Sequence, residues 1–251
     1  MKTTGNTIFV TGGGSGIGRG LAEAFHKAGN TVIISGRRKA VLDEVTAANP
    51  GITAVELDVR SPKSIAKVAK HLTEQFPALN VLVNNSGIMK FEDIANGLDE
   101  DVLTSTVETN LYGPIRVTEA LLPHLKQQAY AAVLNVTSGL AFVPMAPTAT
   151  YCATKAALHS WTHSLRFALR NTSVKVLEVA PPYVQTELTG EQQKNDPRAM
   201  PLAEYLAETV ELLKTDANEI LVERVKRLRN AVGPDEWTFV TQFNEMMSDR
   251  H

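Results

Sequence analysis

The sequence predicts an α/β fold, a doubly wound parallel sheet with helices on both faces. Three observations carry that reading. Short β-branched runs such as TVIIS and VKVLEV alternate with segments of helical period, a glycine-rich turn directly follows the first run, and 251 residues suit one domain of this class. Near-continuous apolar runs, as opposed to strict alternation, mark strands buried on both faces. Strands separated by helices imply right-handed crossovers, and these leave the sheet parallel.

The elements follow in order. Thr7 to Val10 reads as a strand, and after the glycine turn a helix runs from Ile17 to Ala28. Thr31 to Ser35 is the second strand; the helix from Lys39 to Ala48 is ended by Asn49, Pro50 and Gly51. Thr53 to Leu57 is the third strand, and Ser61 caps a helix from Pro62 to Gln75, where proline suits the first turn. Asn80 to Val83 is the fourth strand, Leu98 to Gln128 holds one or two long helices, and Ala132 to Val136 is the fifth strand. A helix from Tyr151 to Leu169 and a strand from Val174 to Val179 complete the rhythm. Residues 189–222 turn polar and then helical, which reads as a flap or specificity segment, and a poorly patterned tail starts at Gly233.

Composition narrows the function. The chain is 43% hydrophobic and 21% charged with net charge −2, and its pI is near 6.3. A nucleic-acid binder would carry a basic stripe. The nearest candidates are Arg37–Arg38–Lys39 and the run of Arg224, Lys226, Arg227 and Arg229, the second of which reads as a solvated helix face. The single cysteine, Cys152, rules out an intrachain disulfide and fits a reducing cytoplasm. It reads as a small residue packed beside Tyr151, with a reactive thiol as the alternative. The apolar run near the N-terminus is too short for a signal peptide, and no stretch approaches the ~20 apolar residues of a membrane span. We expect a cytoplasmic protein with no membrane and no nucleic-acid partner.

The chemistry begins in the turn Thr11-Gly12-Gly13-Gly14-Ser15-Gly16-Ile17-Gly18. Glycines let the backbone turn tightly and bring helix N-terminal amides against a pyrophosphate, whose charge the helix dipole favours. Placed between a first strand and a helix, the turn meets the requirement for a dinucleotide site; a plain tight turn is the alternative. Further along, Tyr151 and Lys155 stand four residues apart, so a phenol and an ammonium share one helix face. An ammonium there would lower the phenol pKa, and a phenol so tuned can exchange a proton with an alcohol or carbonyl oxygen.

Together these motifs resemble the short-chain dehydrogenase/reductase family over roughly residues 5 to 190, and within it the bacterial DltE-type oxidoreductases. The resemblance rests on Thr11 to Gly18, on Asn84-Asn85-Ser86-Gly87, on Asn110, on Ser138, and on Tyr151 with Lys155. It implies a single-domain Rossmann-like fold spanning residues 1–251. It also implies an NAD(P)-dependent enzyme that interconverts a carbonyl and a secondary alcohol by hydride transfer. Under it Tyr151 is the acid/base, Ser138 polarises the substrate carbonyl, and Lys155 tunes the phenol and binds the nicotinamide ribose. The Asn110 backbone carbonyl would hold a water that links Lys155 to solvent.

The resemblance extends the cofactor site, beyond Gly12, Ser15, Gly16, Ile17 and Gly18, to Asp58 and Val59 at the adenine, to Asn85, Ser86 and Gly87, and to Pro181, Val184 and Thr186 at the carboxamide. Two departures stand out: Pro182 replaces the family's usual glycine, and the C-terminus lacks a Val-Asp-Gly-Gly ending. After the second strand the sequence reads Ser35-Gly36-Arg37-Arg38, with no carboxylate for a ribose 2′-hydroxyl. Arg37 can offer a planar donor fork to a 2′-phosphate, with Arg38 beside it, so NADP(H) is favoured over NAD(H).

Other constellations read as structural. His159 and His163 have metal-ligand spacing, but no zinc-protease glutamate lies between them, so we expect no metal. No Gly-x-Ser-x-Gly elbow surrounds Ser138, which weighs against a hydrolase. A catalytically silent dinucleotide sensor or scaffold is the competing reading. Leu158, Trp161, Leu165 and Leu169, with the helix around Leu103 to Leu125, put apolar residues on more than one helix face, and relatives pair these helices, so a homodimer or homotetramer is expected. Met89, Leu140, Phe142, Val143, Met145 and Tyr183 read equally well as an apolar substrate pocket or as packing.

Overall fold

The computed structural model describes residues 1–248. Seven parallel strands form one sheet in the order β3-β2-β1-β4-β5-β6-β7. They are β1 (Thr7–Thr11), β2 (Thr31–Gly36), β3 (Ile52–Glu56), β4 (Leu79–Asn84), β5 (Ala131–Val136), β6 (Val174–Val179) and β7 (Glu219–Ile220). The chain winds outward from β1 to β3, then returns to pair β4 on the other edge of β1. That reversal leaves a crevice beyond the carboxyl ends of β1 and β4, where open α/β sheets bind ligands.

Both faces of the sheet are covered, which is why its central strands are mostly apolar. Ile8, Val10, Val32 and Ile34 face one layer, with Leu21 and Phe25 of α1 (Gly16–Lys27) and Leu42 and Val45 of α2 (Lys39–Ala48). Phe9, Ile33 and Leu82 point the other way, onto Ile65 and Leu72 of α3 (Pro62–Gln75) and Val117 and Leu121 of α5 (Gly113–Leu125). The period-two partition of one continuous run between two cores is the signature of a buried parallel strand. At the start of α3 the Ser64 N–H donates to the Ser61 side-chain oxygen at 3.2 Å, so the predicted cap is present.

Four features depart from the expected pattern. The helical stretch after Leu98 is α4 (Glu100–Val107) and α5, joined by a π-helical turn over Glu108–Tyr112 that carries Asn110. The helix bearing Tyr151 is α6 (Ala149–Ala168), starting two residues earlier than expected. Residues 189–222 contain α7 (Glu191–Asn195), α8 (Leu202–Leu213) and the edge strand β7, which at two residues is too short to show a period. After α9 (Glu223–Arg229), the tail is also ordered: α10 (Glu236–Ser248) lays Phe239, Val240 and Phe243 over Phe142, Val143 and Ala180. Among the described residues no helix is long and apolar enough to cross a membrane.

Candidate active site

The glycine turn owes its shape to positions where a side chain cannot stand. Gly12 has φ +66°, a left-handed conformation, and a Cβ on Gly18 would come within 2.3 Å of the Gly12 carbonyl oxygen. Thr11 and Asn85 fasten this turn to the end of β4. The Asn85 and Ser86 N–H groups donate to Thr11 Oγ1 at 3.0 and 3.1 Å, and Asn85 Nδ2 donates to the carbonyls of Thr11 and Gly12 at 3.1 and 3.2 Å. The neighbouring Asn84 is buried and donates to Thr118 Oγ1 and Asn135 Oδ1, which ties β4 to α5 and β5. The Asn-Asn pair thus holds the open ends of the three central strands in register.

At the far end of the crevice, Ser138 follows β5, and Lys155 and Tyr151 descend from α6 on adjacent turns. Ser138 Oγ accepts from the Leu140 N–H at 3.1 Å, so the residue caps a short 3₁₀ turn while its own hydroxyl hydrogen stays available. Lys155 is only 4% exposed, and its Nζ donates to the Val136 carbonyl at 2.8 Å. The Lys155 Nζ lies 5.6 Å from the Tyr151 ring centroid. Burial pushes the Tyr151 phenol up to about 12, while the Ser138 hydroxyl pulls the other way. Lys155, expected to lower it, is not among the groups that shift it, and desolvation decides the direction. Burial also depresses Lys155 to about 8, against an upward pull from Glu178.

One cleft, of about 350 Å³, joins the two ends. Its wall includes Gly12, Ser15, Gly16 and Ile17, then Arg37, Arg38, Asp58 and Val59 on one side, and Asn85, Ser86 and Gly87 in the middle. Ser138, Tyr151, Lys155, Pro181, Val184 and Thr186 close the other end. Two expected residues stand behind the wall. Gly18 packs beneath the turn against Asn85. Asn110 is fully buried: its Oδ1 accepts from the Ile88 N–H at 2.9 Å, and its Nδ2 donates to the Ile88 carbonyl at 2.8 Å and to Thr154 Oγ1 at 3.3 Å. That side chain couples the π turn both to the end of β4 and to α6.

An elongated dinucleotide suits this shape. The adenosine end would meet Arg37, Arg38 and Asp58, the pyrophosphate the glycine turn, and the nicotinamide end the Ser138–Tyr151–Lys155 group. Asp58 is already held by Arg60, whose Nη2 donates to it at 3.1 Å, and this keeps its carboxyl below the usual range. Pro182 lines the cleft, and the segment around it is tied down by other donors: the Gln185 N–H reaches the Met200 carbonyl at 2.9 Å, and the Met200 N–H the Tyr183 carbonyl at 2.8 Å.

Sequence patterns missed several residues. Gln193, from the short α7, reaches back to organise the clasp, donating to the Val184 carbonyl at 2.8 Å and to Thr186 Oγ1 at 3.0 Å. A lone glutamine in a polar segment carries no pattern that could have revealed it. Thr137 and Val136 also line the cleft, and Glu178 lies behind them, with Thr137 Oγ1 donating to Glu178 Oε1 at 2.6 Å. For Glu178 a signal existed: one carboxylate inside the apolar run VKVLEV has to be satisfied internally.

Met89 and Leu140 pack on Met145, Tyr151 and Cys152, joined by Phe243 and Met247 from α10, whereas Phe142 and Val143 belong to a separate core cluster with Ala180. Cys152 is buried, accepts from the Met145 N–H at 3.3 Å, and has a thiol pushed up by burial, which makes it a packing residue. His159 and His163 face two carboxylates, Glu178 and Glu219, and the four potential ligand atoms lie within 4.8 Å of one another. Each is already paired: His159 Nδ1 with Glu178 Oε2 at 2.7 Å, and His163 Nε2 with Glu219 Oε1 at 3.3 Å.

Comparison with known proteins places the chain by family and by fold. Residues 6–197 match the family described as short chain dehydrogenase. The uncharacterised oxidoreductase DltE of Bacillus subtilis (strain 168) is 41% identical over 248 residues, covering 97% of this chain and 98% of the relative. A short chain dehydrogenase from Burkholderia cenocepacia J2315, solved in complex with NADP, superposes with a TM-score of 0.84 at 25% identity, covering 96% of this chain and 98% of its own. The 3-ketoacyl-(acyl-carrier-protein) reductase from Brucella melitensis, solved with NADH, gives 0.77 at 28% identity, covering 86% and 93%.

Proposed function

The chain belongs to the short chain dehydrogenase family and is an oxidoreductase, and from that premise we propose that it interconverts a carbonyl and a secondary alcohol, using NADP(H) in preference to NAD(H). The observation that carries this reading is that Ser138, Tyr151 and Lys155 line one end of a cleft whose other end is a glycine turn. The bound nicotinamide supplies or takes up the hydride. Everything else falls to the chain. Ser138 donates a hydrogen bond to the substrate oxygen and fixes the carbonyl beside the phenol. Tyr151, protonated at neutral pH because burial raises its pKa, gives that oxygen its proton. Lys155, anchored on the Val136 carbonyl, places a positive charge beneath the phenol and favours the phenolate left behind. The preference for NADP(H) is supported by Arg37 and Arg38 on the cleft wall, next to Gly36 where a carboxylate would suit a free ribose hydroxyl.

The test combines binding with turnover. NADPH should bind more tightly than NADH in a fluorescence titration, and a carbonyl panel followed at 340 nm should show oxidation of NADPH. Tyr151→Phe should lose at least ~100-fold in turnover while its NADPH affinity stays within about twofold of the parent. Full turnover in the variant would remove Tyr151 from its role. Tight NADPH binding with no turnover on any carbonyl would favour the sensor reading instead.

A further inference from the structure

Glu178 sits next to the carboxyl end of β6 with no exposed surface. A carboxylate in such a place is stable only if its oxygens are satisfied and its charge is matched. Both oxygens are satisfied. Thr137 Oγ1 donates to Oε1 at 2.6 Å, and Oε2 pairs with His159 Nδ1 at 2.7 Å. These partners are neighbours of the reaction centre. Thr137 directly precedes Ser138, and His159 stands one helical turn after Lys155 on α6, where residues four apart share a face. Two rungs therefore join α6 to the end of the sheet: Lys155 to the Val136 carbonyl, and His159 through Glu178 to Thr137.

We infer that Glu178 is a positioning residue for Lys155: a buried carboxylate, held by Thr137 and His159, that provides the lysine's counter-charge from inside the fold. The inference rests on the role proposed for Lys155. Among the described residues, Lys155 donates one hydrogen bond, to the neutral Val136 carbonyl, and none of them balances its charge by direct contact. Among the described residues, Glu178 is the group that pulls the Lys155 pKa up against burial.

The charges that face Glu178 from every neighbouring element favour this pairing. On its far side, Glu219 of β7 is its direct strand partner. Glu219 has cations of its own, with Arg229 from α9 at 2.8 and 3.2 Å and His163 from α6 at 3.3 Å. Arg166, the next basic group along α6, is occupied by the carbonyls of Val176 and Asn218. The outer carboxylate is thus neutralised by the outer cations. The inner one has His159 in contact and Lys155 on its inner side, with Arg229 acting on it at longer range. The Phe142 ring packs at 85° against His159, with centroids 5.1 Å apart, and this limits screening by water.

The experiment reads Lys155 directly. In ¹³C-lysine NMR, with the resonance assigned by its loss in Lys155→Met, the titration midpoint of Lys155 should fall by about one pH unit in Glu178→Gln. Glu178→Ala should give the same displacement if the glutamine variant does not fold. Glu178→Asp, which keeps the charge, should return the midpoint most of the way to the parent value. The high-pH limb of kcat/KM for carbonyl reduction should move down with the midpoint, with NADPH affinity at pH 6.5 little changed. An unmoved midpoint in the neutral variants, or the same displacement in Glu178→Asp, would overturn the inference. Because the NMR midpoint needs no turnover, a protein inactive on every carbonyl would sink the proposed reaction while leaving this measurement decisive.

Discussion

Lys155 shows at the scale of one residue how function sets itself against stability. A lysine held below its ordinary pKa of 10.5, at about 8, is a cation buried against its own preference. The sign follows from linkage. Between those two values the unfolded chain binds more protons than the folded one, so stability rises with pH across that window. Below about pH 8 the full burial penalty is present. Lys155→Met should therefore abolish turnover and yet be the more stable protein at pH 7, by on the order of 1–3 kcal/mol. Its advantage should shrink between pH 8 and 10. Thermal melts of both proteins across pH 6.5 to 10 check this; a variant less stable than its parent at pH 7 would refute it. The residues of this site were readable because each has a fixed sequence offset from a strand end or helix turn: Ser138 after β5, Tyr151 and Lys155 one turn apart. The phenol's pKa was not readable. Proximity to an ammonium is visible in spacing, whereas burial is set by what packs above, and here burial dominates.

At the scale of elements, the tail from Gly233 is the main revision. Its apolar residues, Phe239, Val240, Phe243 and Met247, lie along one side of α10, but polar neighbours and sparse spacing hide the stripe in the sequence. Asn244 fixes this helix beside the cleft, with its Oδ1 accepting from the Ala146 N–H at 2.6 Å and its Nδ2 donating to the Pro144 carbonyl at 3.0 Å. Phe243 and Met247 then cover Met145, Tyr151 and Cys152. Phe243→Ala should raise KM for a hydrophobic carbonyl substrate by about fivefold, the value of roughly one kcal/mol of lost apolar contact, and leave the NADPH Kd unchanged. Steady-state kinetics beside a cofactor titration decide this, and an equal loss in both would mean that α10 supports the whole cleft. The π turn between α4 and α5 is likewise invisible to periodicity, since one widened turn shifts the apolar phase without breaking it.

At the scale of the whole molecule, the exposed aromatic rings of Tyr112 and Phe167, at 46% and 67% exposure, lie on the faces of α6 and the π turn turned away from the sheet. Self-association through these helices should give a dimer or tetramer at micromolar concentration in light scattering; a monomer there would exclude it, and Phe167→Glu should shift the distribution toward smaller species. The parallel sheet, its switch point and both ends of the cleft could be inferred from local pattern, because strand burial, glycine conformation and one-turn spacing are properties of neighbouring residues. Which groups stand behind the cleft depended on distant segments. Glu178 and His159 are 19 residues apart, and Phe243 reaches a helix that begins at Ala149. Charge, desolvation and covering surface are settled by such long-range packing; the run VKVLEV shows that Glu178 needs a partner, and only the packing decides that the partners are Thr137 and His159.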